Sequence, residues 1–347
     1  MQPYNGGNDP QRGGVYSTGH GFYNPYAEPE WKREKKRIRA AGNGIGLASV
    51  GYVAISFGAV LFLYAAIGVV NALRGGSFME VGENAQWVVT LITYILSLIV
   101  PFGIYALCIQ MPIGAAFPFR KMRGDITVGG IFVGLGAGIV ASYATSYLEQ
   151  ALGLFGIGIS MPELEIPTAL SAKIIYIITM TVAPAFIEEM VFRGIVMQSL
   201  RRFGDMFALV SSAIIFGIFH LNLIQTPYAF ILGLCIGYFV MRTGSLWVGV
   251  IMHFLNNSIA TVLTLAEPYC SEEMFLFINL AYSLAAVMCG IIALCLLLVK
   301  YRDMFRFGDA PGVLSSGKRA AYFLTSPALI IAMLTAVVLT AQYIEIL

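Results

Sequence analysis

Charge is what this sequence has least of. Only 12% of its 347 residues are Asp, Glu, Lys or Arg and 58% are hydrophobic, whereas soluble domains carry about 25% charged residues. That balance excludes a soluble globular domain and implies an integral membrane protein. Histidine is scarcer still, with three in the chain. The five cysteines, Cys108, Cys235, Cys270, Cys289 and Cys295, form no CxxC pair and show no metal-ligand spacing. They read as small packing residues, and no metal or cofactor is expected. The chain lacks HExxH and GxSxG, which argues against zincin and serine-hydrolase chemistry. A net charge of +2 is too small to suggest a nucleic-acid partner. There is no apolar core near Met1, so no cleavable signal is expected and the first apolar span acts as the insertion signal.

What is present is a series of long apolar runs. Residues 1–42 are polar and rich in Gly, Tyr, Asn and Pro, which predicts a disordered tail ending in the basic run from Lys32 to Arg39. That run reads as a solvated cytoplasmic flank. Residues 43–347 are expected to form an all-α polytopic bundle of about eight or nine membrane helices. The candidate spans lie near 46–73, 87–110, 127–150, 171–199, 205–223, 227–242, 245–266, 274–300 and 321–344. With the N-terminus inside, Arg120, Lys121, Arg123, Arg201, Arg202, Arg242, Lys300, Arg302, Lys318 and Arg319 fall on one side, as the positive-inside rule requires. Gly130, Gly134 and Gly138 make small-xxx-small steps in the third span, a pattern for close helix packing.

Ionisable groups at membrane depth are costly and usually functional, so the fourth, fifth and seventh spans hold the candidate site. The fourth carries Glu188-Glu189-Met190-Val191-Phe192-Arg193. Four residues apart on a helix, Glu189 and Arg193 can form an ion pair. Glu188 points about 100° away from Glu189 and is left free to serve as a general base. Pro184 removes a helix hydrogen bond one turn earlier and is expected to bend the span. The fifth span carries Phe216 and His220 on one face. Folded into a hairpin at Gly204, Glu188 and His220 each lie sixteen residues from the turn and reach one depth. The seventh presents His253 and Asn257 together, an imidazole and a carboxamide able to donate to an oxyanion.

These three patterns, EExxxR at Glu188 to Arg193, FxxxH at Phe216 to His220 and HxxxN at His253 to Asn257, resemble the CPBP family of intramembrane glutamic proteases. That family is also called the CAAX protease and bacteriocin-processing, or Abi, family. The resemblance covers about residues 170–262 and implies that Glu188 and His220 activate a water, with His253 and Asn257 as the oxyanion hole. Glu189 and Arg193 would orient the first carboxylate. It implies an endopeptidase acting on a membrane-associated peptide or protein without metal, as in CAAX processing, bacteriocin processing or self-immunity, in a bacterial cell membrane. Two alternatives use the same residues: a zinc protease with Glu188, His220 and His253 as ligands, and a proton-coupled transporter or immunity protein without hydrolysis.

Overall fold

In this computed structural model the structure describes residues 28–78, 80–160, 165–307 and 312–346. Helix α1 (Glu30–Leu73) starts within the expected tail, so residues 30–42 are helical instead; residues 1–27 lie outside the described residues. The cause is a stripe that begins in the basic run. Ile38, Ala41 and Ile45 recur at helical spacing and are fully buried. Glu34 adds an anchor, accepting from the backbone N–H groups of Val313 and Leu314 and from Arg319.

The chain continues through α2 (Glu83–Cys108), α3 (Gly124–Leu154), the long helix α4 (Leu170–Phe203) and the short α5 (Asp205–Ile218). It ends with α6 (Gln225–Thr243), α7 (Leu246–Ala266), α8 (Glu272–Lys300) and the pair α9 (Ser316–Leu324) and α10 (Pro327–Ala341). Among the described residues seven helices are long and apolar enough to cross a membrane. The α9–α10 pair, bent by 67°, makes up to eight. The expected fifth span is the exception. At 14 residues, α5 rises about 21 Å. It stops short of a hydrocarbon core about 30 Å thick.

Loop contacts collect one end of the bundle. Arg123 Nη2 donates to the Tyr301 hydroxyl at 3.2 Å, Ser245 Oγ donates to the Arg120 carbonyl at 2.7 Å, and Arg319 Nη1 donates to the Phe203 carbonyl at 3.0 Å. The starts of α1, α3, α7 and α9 therefore meet the ends of α4 and α8. Helix α5 leaves this basic end, runs inward and stops, and α6 returns to it. At the opposite end a small antiparallel pair, β1 (Ile157–Ile159) and β2 (Ile344–Ile346), ties the chain after α3 to the chain after α10. Among the described residues this pair is the one sheet.

Helix α3 packs along α6, α7 and α8. Its glycines permit the approach: a Cβ at Gly134 would lie 2.6 Å from the Met252 terminal methyl on α7. The core runs through α4, α5 and α6 and includes Val191, Phe192, Ile195, Phe216 and Phe239.

Candidate active site

The site is built on a helix that does not keep the α-helical period. Within α4 the turns Ile178–Val182 and Glu189–Val196 are π-helical, a widening frequent at functional sites. Pro184 lies between them and has no N–H to give the carbonyl of Met180 one α-turn earlier. Asn257 supplies a donor from α7 instead, its Nδ2 lying 3.3 Å from the Met180 oxygen. The carbonyl that the proline leaves free is thus joined to the next helix of the site.

Glu189 is completely enclosed and Arg193 is 1% exposed, and they form the expected i,i+4 pair with 2.9 Å between Oε1 and Nη1. The pair is ionic but misaligned, because neither terminal nitrogen of Arg193 makes a hydrogen bond. The guanidinium instead lies 4.1 Å from the centre of the Phe216 ring, a cation–π contact in a dry setting. Glu189 Oε1 also lies 2.9 Å from His253 Nδ1. An ionised carboxylate only accepts, so this contact puts a proton on Nδ1 and directs Nε2 towards Glu188. Glu189 therefore bonds His253, and among the described residues no bond joins it to Glu188. Gly249 makes room for it, since a Cβ there would come within 2.6 Å of Glu189 Oε2.

Glu188 is 14% exposed, and its two oxygens differ. Oε1 accepts from the Tyr94 hydroxyl of α2 at 2.6 Å. Oε2 is buried with no hydrogen-bond partner among the described residues, and His253 Nε2 stands 3.7 Å away. That gap is too long for a direct hydrogen bond.

His220 falls just past the end of α5 rather than within it, before Leu221 at φ +50°, a left-handed conformation uncommon for a non-glycine residue. Its Nδ1 lies 2.9 Å from the Phe216 carbonyl oxygen, which can only accept, so Nδ1 carries the proton and Nε2 is the available atom. His220 and His253 thus hold the same ring nitrogen against the protein. Both stand edge-on to Phe216, at 5.0 and 6.0 Å between ring centres. Phe216 carries Arg193 on its face and spaces the two imidazoles. Among the described residues no hydrogen bond or ion pair links His220 to Glu188.

Asn257 is set by its neighbours as well as by Met180. Asn256 Nδ2 lies 3.3 Å from Asn257 Oδ1, and Asn256 Oδ1 accepts from Tyr228 at 3.0 Å. Sequence spacing gave Asn256, Tyr228 and Tyr94 no role. Nothing local marks Tyr94, because its partner is 94 residues away. Tyr52 of α1 packs against Phe219, with ring centres 4.6 Å apart and ring planes tilted by 47°. Among the described residues no group of three or more His, Cys, Asp or Glu side chains is placed to hold a metal ion, so Glu188, His220 and His253 do not form a three-ligand set.

The family model described as type II CAAX prenyl endopeptidase Rce1-like matches residues 170–259. No curated protein and no solved structure matches the chain significantly. The matched stretch contains Glu188, Glu189, Arg193, Phe216, His220, His253 and Asn257, whereas Tyr52 and Tyr94 lie before it. The apolar helices and this match together make the chain an integral membrane peptidase, similar over residues 170–259 to the Rce1-like endopeptidases of the CPBP family.

Proposed function

We propose that this peptidase is of the glutamic type and cleaves a membrane-associated peptide or protein by direct attack of water. The observation that carries the reading is the asymmetry of Glu188. One oxygen is held by Tyr94, and the other is buried, unbonded and 3.7 Å from an imidazole nitrogen. Such an oxygen is placed to take a proton.

In the first step Glu188 Oε2 takes a proton from water as the water oxygen bonds to the scissile carbonyl carbon. The carbonyl π electrons move onto oxygen and leave a tetrahedral oxyanion. The Nε2 of His220 accepts the second water hydrogen and orients the nucleophile. His253 in its protonated form donates from Nε2 to the oxyanion, with Glu189 balancing the imidazolium, and Asn257 donates its remaining amide hydrogen. Collapse breaks the C–N bond, and the proton held by Glu188 passes to the leaving amine. Arg193 and Phe216 hold the ring positions. We also infer that the gathered basic end faces the cytoplasm, following the positive-inside rule.

Comparative peptidomics of membranes carrying wild type, Glu188→Gln or His220→Ala tests the reading. New peptide termini should appear with wild type and vanish with either variant at equal membrane abundance. Identical termini with wild type and Glu188→Gln would overturn it, and cleavage lost on chelation and restored by zinc would replace it with a metal mechanism.

A further inference from the structure

The carboxylate of Glu188 does not depend on the matched segment alone, because its one bonded oxygen is held from α2. We propose that Tyr94 is a positioning residue of the active site: its hydroxyl holds Glu188 Oε1 and thereby presents Oε2 to the reacting water. This rests on the glutamic reading above and extends the working site into the N-terminal half of the chain.

The geometry supports the assignment at three points. The separation of 2.6 Å is that of a hydroxyl donating to an ionised acceptor, the stronger class of hydrogen bond. The bond also makes two equivalent oxygens unequal, since Oε2 has no bonded partner among the described residues. Finally, a second tyrosine on the same helix shows what a purely structural contact looks like. Tyr105 follows Tyr94 by eleven residues, close to three helical turns, and so repeats its face. It bonds Ser199 Oγ on α4 at 3.2 Å, and Ser199 follows Glu188 by the same eleven residues. The two helices run in the same direction, joined by two tyrosine contacts in register. One ends on a carboxylate in the site, and the other ends on a hydroxyl in the core that itself donates to the Val196 carbonyl.

Tyr105 therefore supplies the control. Tyr94→Phe and Tyr105→Phe each delete one hydroxyl between α2 and α4, and both keep the ring. With full-length protein in lipid vesicles, Tyr94→Phe should lower kcat about 10- to 100-fold with KM changed less than about 2-fold, in keeping with a hydrogen bond to a charged group. Tyr105→Phe should leave kcat within about 2-fold of wild type, as expected of a contact outside the chemistry. Full kcat in Tyr94→Phe, while Glu188→Gln is inactive, would overturn the positioning role and leave the protease reading intact. Equal losses of kcat in both tyrosine variants would overturn it too, because they would report helix packing.

A readout independent of turnover covers the case in which no cleavage is seen. Infrared difference spectra between wild type and Glu188→Gln identify the carboxylate bands of Glu188. Those bands should shift in Tyr94→Phe and stay in place in Tyr105→Phe. Unshifted bands in Tyr94→Phe would overturn the proposal whatever substrate is used.

Discussion

Among the described residues two buried arginines pair with glutamates, and the two pairs are built in opposite ways. At the basic end, Glu34 Oε1 takes Arg319 Nε at 2.7 Å, and Oε2 takes the backbone N–H groups of Val313 and Leu314 at 2.8 and 3.0 Å. Arg319 spends another nitrogen on the Phe203 carbonyl. In the site, Glu189 and Arg193 are more deeply enclosed and less well bonded. Glu189 Oε2 and both terminal nitrogens of Arg193 have no hydrogen-bond partner among the described residues. A buried ion pair repays its desolvation only when geometry is good and remaining donors are met. The first pair meets that condition and ties α1 to α9 as scaffold. The second does not, and its carboxylate reaches His253 Nδ1 as well as Arg193.

The largest effect that would sharpen this contrast comes from Arg193→Met. It leaves the Glu189 carboxylate buried opposite His253 without its cation, a situation that costs about 3–5 kcal/mol. Thermal unfolding in detergent should show a large drop in Tm, with peptide cleavage lost as well. A variant as stable as wild type would mean that Arg193 does not hold Glu189. Asn257→Ala comes next, with kcat falling about 100- to 1000-fold as for loss of an oxyanion donor. Its Tm should fall far less than its rate. Loss of stability without a selective loss of kcat would make the Met180 contact its whole purpose.

On the scaffold side, Arg319→Met should cost about 2–3 kcal/mol, because the charge-assisted hydrogen bonds to Glu34 and to the Phe203 carbonyl are lost while the two backbone donors to Glu34 remain. Folded enzyme should keep its kcat. A selective fall in kcat would break the distinction between the two pairs and connect the basic end to catalysis.

How much of this was legible in sequence follows from what was rare. Two histidines, two adjacent carboxylates and an arginine inside apolar spans stand out because membranes exclude such groups, and their spacing named the residues that the structure brings around Phe216. Tyr94 did not stand out among 18 tyrosines. It lies in an apolar helix where a phenol is ordinary, and only the register of α2 on α4 gives it a carboxylate. Hydrophobic runs located the helices but not their limits. The start of α1 is hidden in a basic run that holds only Ile38 of the buried stripe, and α5 is apolar enough for a span but too short. The π-helical turns were also invisible, since residues one turn apart on an apolar stretch look alike at either pitch. That matters for Glu189, which spacing paired with Arg193 and the resemblance set to orient Glu188, and which in the structure also lies against His253.

The smallest effect tests what holds that widened turn in place. A π-helical segment leaves carbonyls to be met from outside, and Ser212 of α5 meets one of them by donating to the Phe192 carbonyl at 2.8 Å. The bond joins the helix carrying the two glutamates to the helix that delivers Phe216 and His220. Ser212→Ala leaves that buried oxygen without its donor at a cost of about 1–1.5 kcal/mol. The residue touches none of the reacting groups, so its effect on rate must pass through the position of Phe216. If Phe216 spaces the two imidazoles, kcat should fall a few-fold with KM steady, and Tm should drop by only a few degrees. Unchanged kcat with lowered Tm would show instead that the turn is held by packing alone, as in the scaffold at the basic end.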